Sequence, residues 1–307
     1  MCGLFGFSRY GDKNVTGLTD LTNSLAEQSA IRGTDATGIA FTSSGGINII
    51  KDSKSAYRMN FKHPDAKALI GHTRHRTQGS EKKNYNNHPF SAKCNNTRFA
   101  LAHNGVLSND KELRHKFKLP KTKIETDSYI AVQLIESQKH LDFDSIKYMA
   151  ERTEGSFSYS ILDNKNNIWL VKGDSPLSIL HFPMLKMYVY ASTDEILYKA
   201  LVDYQPLFKA LKNGDFEEIE ISEGDILKIR PDGILERNTF EYSYYYGRGW
   251  WDYGFSSISL GSGKPSDTSN EYLESLKAIA SYQGYDIDEL IAAGFSLDEI
   301  EDYIYEY

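Results

Sequence analysis

Long apolar runs, cysteines and clustered metal ligands are scarce in this chain. No apolar stretch approaches the roughly 20 residues that span a bilayer, so no membrane span is expected. The N-terminus also lacks the basic-then-apolar layout of a secretory signal. Leu4 to Phe7 is too short, and Arg9, Asp12 and Lys13 follow at once. Only two cysteines occur, Cys2 and Cys94, too few for a disulfide framework and suited to a reducing compartment. A cytoplasmic protein is the expectation. Cys94 sits in the polar stretch Lys93-Cys94-Asn95-Asn96 and reads as incidental. Cys and His do not cluster at zinc-ligand spacing, so neither metal nor cofactor is expected. Basic residues are almost missing from one end. Of 42 acidic and 35 basic residues, positions 266–307 hold eleven acidic and one basic, Lys277. The rest of the chain is close to neutral. Phosphate recognition needs clustered Lys and Arg, so nucleic acid is not the expected ligand of that tail.

What is present fits a soluble globular protein. At 307 residues, with 40% hydrophobic and 25% charged residues, the chain can bury a sizeable core in one large domain plus a small appendage. Short strand patterns alternate with helical ones up to about residue 237. Strands are expected at 38–42, 47–51, 68–73, 98–103, 187–191 and 225–229, and a hairpin joins 156–163 to 167–172 around Asp163-Asn164-Lys165-Asn166. Residues 126–137 predict a helix, with Ile130 and Leu134 on one face and Thr126 placed to cap it. Many strands with interspersed helices imply a layered α+β domain.

Composition shifts after about 240. Residues 241–270 form an aromatic and glycine-rich linker, with Tyr242, Tyr244, Tyr245, Tyr246, Trp250, Trp251, Tyr253 and Phe255 close together. Residues 271–307 predict an acidic helical tail, read as a possible interaction module.

The chemistry begins at Met1-Cys2-Gly3. Once an initiator methionine is removed, Cys2 carries both a thiol and a free α-amine. That amine has an ordinary pKa of about 7.7–8.0 and can serve as a base near neutrality. A nucleophile activated by its own N-terminal amine is a known catalytic device.

Four further segments accompany this start. They are Arg32-Gly33-Thr34-Asp35-Ala36-Thr37-Gly38, Gly71-His72-Thr73-Arg74-His75-Arg76-Thr77-Gln78-Gly79 with Asn87-His88-Pro89-Phe90 after it, His103-Asn104-Gly105-Val106-Leu107, and Glu125-Thr126-Asp127-Ser128. In this order the set resembles the glutaminase domain of class II glutamine amidotransferases, most of all the amidotransferase half of glucosamine-6-phosphate synthases. The resemblance covers roughly residues 1–237. It implies a four-layer αββα N-terminal-nucleophile hydrolase sandwich, carrying here a small helical C-terminal tail. It also implies hydrolysis of the glutamine side-chain amide through a Cys2 thioester.

By that resemblance Cys2 is the nucleophile, while Asn104 and Gly105 are the oxyanion donors. Arg74 matches the carboxylate-binding arginine and Asp127 the acceptor of the α-ammonium. Thr77 sits where the family places a loop hydroxyl, and Arg32 supports the N-terminal segment. Each residue also has a plainer reading. Arg74 fits a solvated basic loop, Asp127 a helix cap, and Asn104-Gly105 a hairpin turn. Five motifs in family order favour the catalytic assignments. His88 is read as structural only.

Two positions depart from the synthase pattern. His75 stands where a tryptophan gates an ammonia passage, and Gln78 where the family has histidine. Both put such gating in doubt without touching glutamine hydrolysis. The residues after 240 leave no room for a sugar-isomerase half. The expectation is therefore a glutaminase that releases ammonia to a separate acceptor protein, with the tail as the candidate docking segment. One alternative is an N-terminal-nucleophile amidohydrolase acting on another γ-glutamyl or acyl amide. The other is a non-catalytic binding protein that keeps Met1.

Overall fold

A computed structural model describes residues 2–11, 16–43, 46–63 and 66–242. In chain order its elements are β1 (Gly3–Arg9), α1 (Leu18–Ser29), β2 (Ala36–Ser43), β3 (Gly46–Asp52), β4 (Ala68–Arg74), β5 (Phe90–Cys94), β6 (Thr97–Leu107), α2 (Asp110–Lys116), α3 (Tyr129–Ser137), α4 (Phe143–Ala150), β7 (Gly155–Asp163), β8 (Ile168–Lys172), β9 (Ser178–Phe182), β10 (Met187–Ala191), α5 (Asp194–Val202), α6 (Gln205–Asn213), β11 (Glu217–Glu218), β12 (Asp225–Ile229) and β13 (Leu235–Thr239). Every strand expected from the sequence has its counterpart here.

The strands form two sheets. One runs β11-β9-β10-β1-β4-β2-β3 and the other β13-β12-β8-β7-β6-β5. The pairings at the centre of both are antiparallel. Several strands are buried on both faces, and this dictates the layering. On β1, Phe5 and Phe7 point into one apolar cluster while Leu4 points into another. On β4, Leu69 joins the first cluster, and Ala68 and Ile70 join the second. The first cluster packs the first sheet against α1, α5 and α6. A separate cluster packs Phe99, Leu101 and Ile161 of the second sheet against α3 and α4. The remaining cluster, with Leu4, Ile70, Ala100, Ala102 and Leu170, lies between the sheets. Three apolar interfaces make four layers, helix–sheet–sheet–helix. Burying each large side chain contributes about 1.5–3 kcal/mol, so the two-sided strands hold the stack together.

Local chemistry sets the turns. The Asp163 carboxylate accepts from the backbone N–H groups of Lys165 and Asn167 at 2.8 and 2.9 Å, closing the β7–β8 hairpin. Cys94 alternates inward on β5 and packs beneath α3, its sulfur 3.5 Å from the Ile135 carbonyl. Burial raises its thiol to about 11, so the side chain is an inert packing group.

Two details differ from the sequence reading. The helix begins at Tyr129 rather than Thr126, and the Thr126 hydroxyl is buried without a partner instead of capping it. Ser128 stands at the N-cap but makes no cap bond, because its hydroxyl lies against His103 Nδ1 at 2.8 Å. Secondly, the plainer alternative of a hairpin turn at Asn104-Gly105, already disfavoured by the motifs, does not hold. Both residues lie within β6, opposite Ser158 and Phe157. Beyond β13, Phe240 and Tyr242 pack on Phe157. The aromatic linker from residue 243 onward and the acidic tail lie outside the described residues.

Candidate active site

The strand alternation that builds the inter-sheet core also gathers the candidate residues. Cys2 precedes β1 with the parity of Leu4, Arg74 ends β4 with the parity of Ile70, and Asn104 follows Ala100 and Ala102 on β6. All three therefore sit at one end of the seam between the sheets. The register pairs Gly3 with Thr73 and Leu4 with His72, which brings Cys2 to the level of Arg74. The thiol feels the charges of both Arg74 and Asp127.

Cys2 is buried and tied at both ends. Its carbonyl accepts from Arg32 Nε at 2.7 Å. Its sulfur lies 3.4 Å from both the N–H and the carbonyl of His75. Arg32 thus holds the N-terminal segment in place. Gly33 next to it lies so close to β4 that a Cβ would meet the Arg74 carbonyl carbon at 2.3 Å. Burial pushes the Cys2 thiol up, against the opposing pull of the His75 backbone and Arg74. A raised thiol stays protonated near neutrality, so attack requires a base to remove its proton.

Arg74 is not a solvated loop residue. It is 3% exposed. Its Nη1 donates to Asn87 Oδ1 at 2.6 Å, and Nη2 donates to the carbonyls of Gln78 and Gly79 at 2.7 and 2.8 Å. The guanidinium therefore shapes the loop after β4 around itself. A guanidinium carries five N–H donors and stays charged in proteins, which leaves capacity for a planar acceptor such as a carboxylate. The loop has other ties. Arg76 N–H donates to Asp35 Oδ2 at 2.7 Å, and Asn86 Nδ2 donates to Glu125 Oε2 at 2.9 Å. The second bond stitches the Arg74 loop to the segment leading into Asp127. Thr77 is exposed on that loop.

Asp127 is 3% exposed, and its Oδ2 accepts from the Leu107 N–H at 2.6 Å. This carboxylate joins the end of β6 to the turn before α3, rather than capping the helix. Asn104, three residues back along β6, is 1% exposed, and among the described residues neither its Nδ2 nor its Oδ1 has a partner. Leaving a buried amide unpaired costs about 1–3 kcal/mol, so such a group calls for a ligand or a role. Gly105 has φ +139°, and a Cβ there would stand 2.0 Å from the Ser156 carbonyl oxygen. Only glycine fits that approach. Its strand neighbour Phe157 donates its N–H to Asp174 Oδ1 at 2.9 Å, and its carbonyl accepts from Gly173 at 3.0 Å. Neither group is turned to Gly105. On the other side, β5 extends only to Phe90, opposite Leu101.

The structure brings Cys2, Arg32, Arg74, Asn104, Gly105 and Asp127 to one end of the seam, with Thr77 on the loop above. It also supplies residues to which the sequence assigned no role. Asn87 orients Arg74. Lys51 donates to the Asn87 carbonyl and, at 2.9 Å, to that of Pro89. Burial, with Arg74 adding to it, lowers the Lys51 ammonium to about 8. The neighbouring residues of the same motifs, His72, His88 and His103, form a buried group. The His72 and His88 rings are 4.2 Å apart, and His72 Nε2 donates to the His103 carbonyl at 2.9 Å. Only their place inside the motifs hinted at this. Among the described residues, no three His, Cys, Asp or Glu side chains are grouped to hold a metal. No described helix is long and apolar enough to cross a membrane.

The chain is similar to known proteins. Residues 72–199 match the family described as "Glutamine amidotransferase domain". Glutamine–fructose-6-phosphate aminotransferase (isomerizing) of Sulfurisphaera tokodaii is 31% identical over 189 residues, covering 58% of this chain and 31% of that protein. The enzyme of the same name from Bacillus licheniformis is 31% identical over 191 residues, covering 58% and 30%. The similarity thus spans under a third of these relatives' length. Among solved structures, the glutamine phosphoribosylpyrophosphate amidotransferase of B. subtilis superposes with a TM-score of 0.60 at 21% identity, over 79% of this chain and 50% of that one. That likeness establishes the N-terminal-nucleophile hydrolase fold.

Proposed function

We propose, for a chain that carries a glutamine amidotransferase domain of the N-terminal-nucleophile class, that Cys2 hydrolyses the side-chain amide of free glutamine. The observation that carries this reading is the Asn104 amide, buried with no partner among the described residues and followed in β6 by the backbone N–H of Gly105 at φ +139°. Two such donors suit the oxyanion of a tetrahedral intermediate, where each contributes about 10²–10³ in kcat.

In the proposed reaction the Cys2 sulfur attacks the amide carbon while the α-amine of the processed N-terminus takes the thiol proton. The C–N bond then breaks as that proton passes to the leaving nitrogen, giving ammonia and a γ-glutamyl thioester. Water, deprotonated by the same amine, attacks the thioester and releases glutamate and the free thiol. Arg74 takes the substrate carboxylate and Asp127 its ammonium. This pairing favours a free amino acid over an acyl amide lacking one of those charges.

Ammonia is delivered to a separate acceptor protein, and the acidic residues 271–307 are the segment proposed to dock it. Recovering acceptor activity after deletion of 265–307 would remove that role. For the hydrolysis itself, intact mass should show Met1 removed, and the same sample should release glutamate from glutamine. Cys2→Ala should abolish the release. Met1 retained with no turnover would favour a non-catalytic binding protein instead.

A further inference from the structure

The His103 ring faces away from the seam that holds Cys2, toward α3, yet it touches the residue next to Asp127. Its Nε2 lies 3.3 Å from the Ser156 carbonyl and its Nδ1 2.8 Å from Ser128 Oγ. A carbonyl can only accept, so Nε2 carries the proton. In a neutral imidazole Nδ1 is then the acceptor, and the Ser128 hydroxyl must donate to it. A hydroxyl has one proton. The same Ser128 Oγ also lies 3.5 Å from Asp127 Oδ1, but it cannot serve both. Asp127 Oδ2 is occupied by Leu107 N–H.

We propose that His103 is a positioning residue for substrate binding: as the neutral Nε2–H tautomer it holds the Ser128 proton away from Asp127, leaving Oδ1 open to the ammonium of an amino-acid substrate. This rests on the glutamine reading above and adds what sets the availability of its ammonium acceptor. The ring is fixed for the task. It stacks on Tyr159 at 4.8 Å with 26° between planes, and its own carbonyl is held by His72. Asp127 and Asp174 favour its charged form, while burial opposes it and prevails. The neighbouring His72 and His88 are likewise kept neutral by burial. The neutral state is the one in which Ser128 is drawn off. Without His103, the Ser128 hydroxyl is free to turn to Asp127 and compete with the substrate.

The test compares two substrates on the full-length protein: glutamine, and glutaramate, which is glutamine without its α-amine. His103→Phe preserves the stack on Tyr159 but removes the acceptor. It should raise the KM for glutamine roughly tenfold, as expected for weakening one charge-assisted contact. The turnover of glutaramate should be unchanged. Adding Ser128→Ala to His103→Phe removes the competing hydroxyl and should restore the glutamine KM. Loss on both substrates together, or no restoration in the double variant, would overturn the proposal, since general damage to β6 predicts that pattern. Wild-type protein with no Cys2-dependent glutamate release would count against the functional reading alone. The tautomer can be read independently of activity and of variant folding. Long-range ¹H–¹⁵N spectra of histidine-labelled protein at neutral pH should show His103 neutral and protonated at Nε2. A proton at Nδ1, or at both nitrogens, would refute the mechanism.

Discussion

Asn104→Ala should separate activity from stability in sign. Most buried polar residues lose both when truncated, because their hydrogen bonds stabilise the fold. Here Nδ2 and Oδ1 have no partners to lose. Removing the amide abolishes an unpaired burial that costs about 1–3 kcal/mol. Against this stands the lost packing of a small side chain, about 1 kcal/mol for a cavity of a methyl group or so. The balance runs from neutral to about 2 kcal/mol of stabilisation. In a domain of this size that is an unchanged Tm or a rise of up to about 8 °C, at roughly 2–4 °C per kcal/mol. Over the same substitution kcat for glutamine hydrolysis should fall about 10²–10³-fold, with KM little moved, because the lost donor acts on the transition state. Thermal melting and glutamate release on one preparation test both halves. A Tm drop of more than about 4 °C would mean that Asn104 is paired in the free protein, and the reasoning from an orphaned amide would fail. A fall in kcat below tenfold would show that the amide is not the oxyanion donor.

Its neighbour should behave differently. Gly105→Ala places a Cβ 2.0 Å from the Ser156 carbonyl at φ +139°, so it should destabilise by at least the 1–3 kcal/mol typical of a forced backbone and abolish turnover. A variant that melts with wild type would contradict the tight approach. Arg74→Lys keeps the charge but cannot hold Asn87, Gln78 and Gly79 at once. The KM for glutamine should rise about tenfold or more, and limited proteolysis should cut faster within residues 75–88; an unchanged cleavage rate would mean that the arginine does not order the loop. Stability should also fall in acid. Burial holds His72 down to about 3 and keeps His88 and His103 below the ordinary range. Below about pH 6.5 the unfolded chain binds protons that the folded one refuses, so stability present above that pH is lost as pH falls. Urea unfolding at pH 7.5 and 5.5 should differ by about 1.4 kcal/mol from His72 alone, with His88 and His103 adding in the same direction, and equal stabilities would mean that these rings are not buried neutral.

The sequence and the structure agree most closely where local pattern decides the outcome. The β7–β8 hairpin was legible because Asp163 closes its own turn through neighbours in the chain. Strands such as 68–73 were legible because both faces are buried, giving unbroken apolar runs. The start of α3 was not. Thr126 has the chemistry of a cap, but Ser128 is diverted to His103, 25 residues away in the chain, and no local rule contains that contact. The set-aside turn reading of Asn104-Gly105 fails for a related reason. The pair is a favoured hairpin turn, yet φ +139° at Gly105 is met inside a strand, where Ser156 leaves no room for a Cβ. The family motifs named the candidate residues, and the structure places them near one another. What they could not provide is the support, since Asn87 beneath Arg74 and His72 behind His103 are motif residues whose partners only the fold supplies.

That support explains why a two-sheet sandwich suits this chemistry. The seam between the sheets is lined by apolar side chains, and a low-dielectric surrounding strengthens any charge interaction within it. Burial there also raises the Cys2 thiol, so it is held in the protonated form until a base acts. Rigidity comes from the opposite face. β6 presents Asn104 to the seam while the adjacent His103 is clamped on the helix side by Ser128 and Ser156. Successive residues of a strand point to opposite faces, so the donor strand is gripped from behind without filling the space in front. Asp127 completes the grip by accepting from Leu107 at the end of the same strand. A displacement of β6 would therefore shift Asn104 and Asp127 together. Asn104 and Asp127 are thus fixed relative to each other by one strand, and in the proposed reaction that strand sets the distance between the two ends of the substrate.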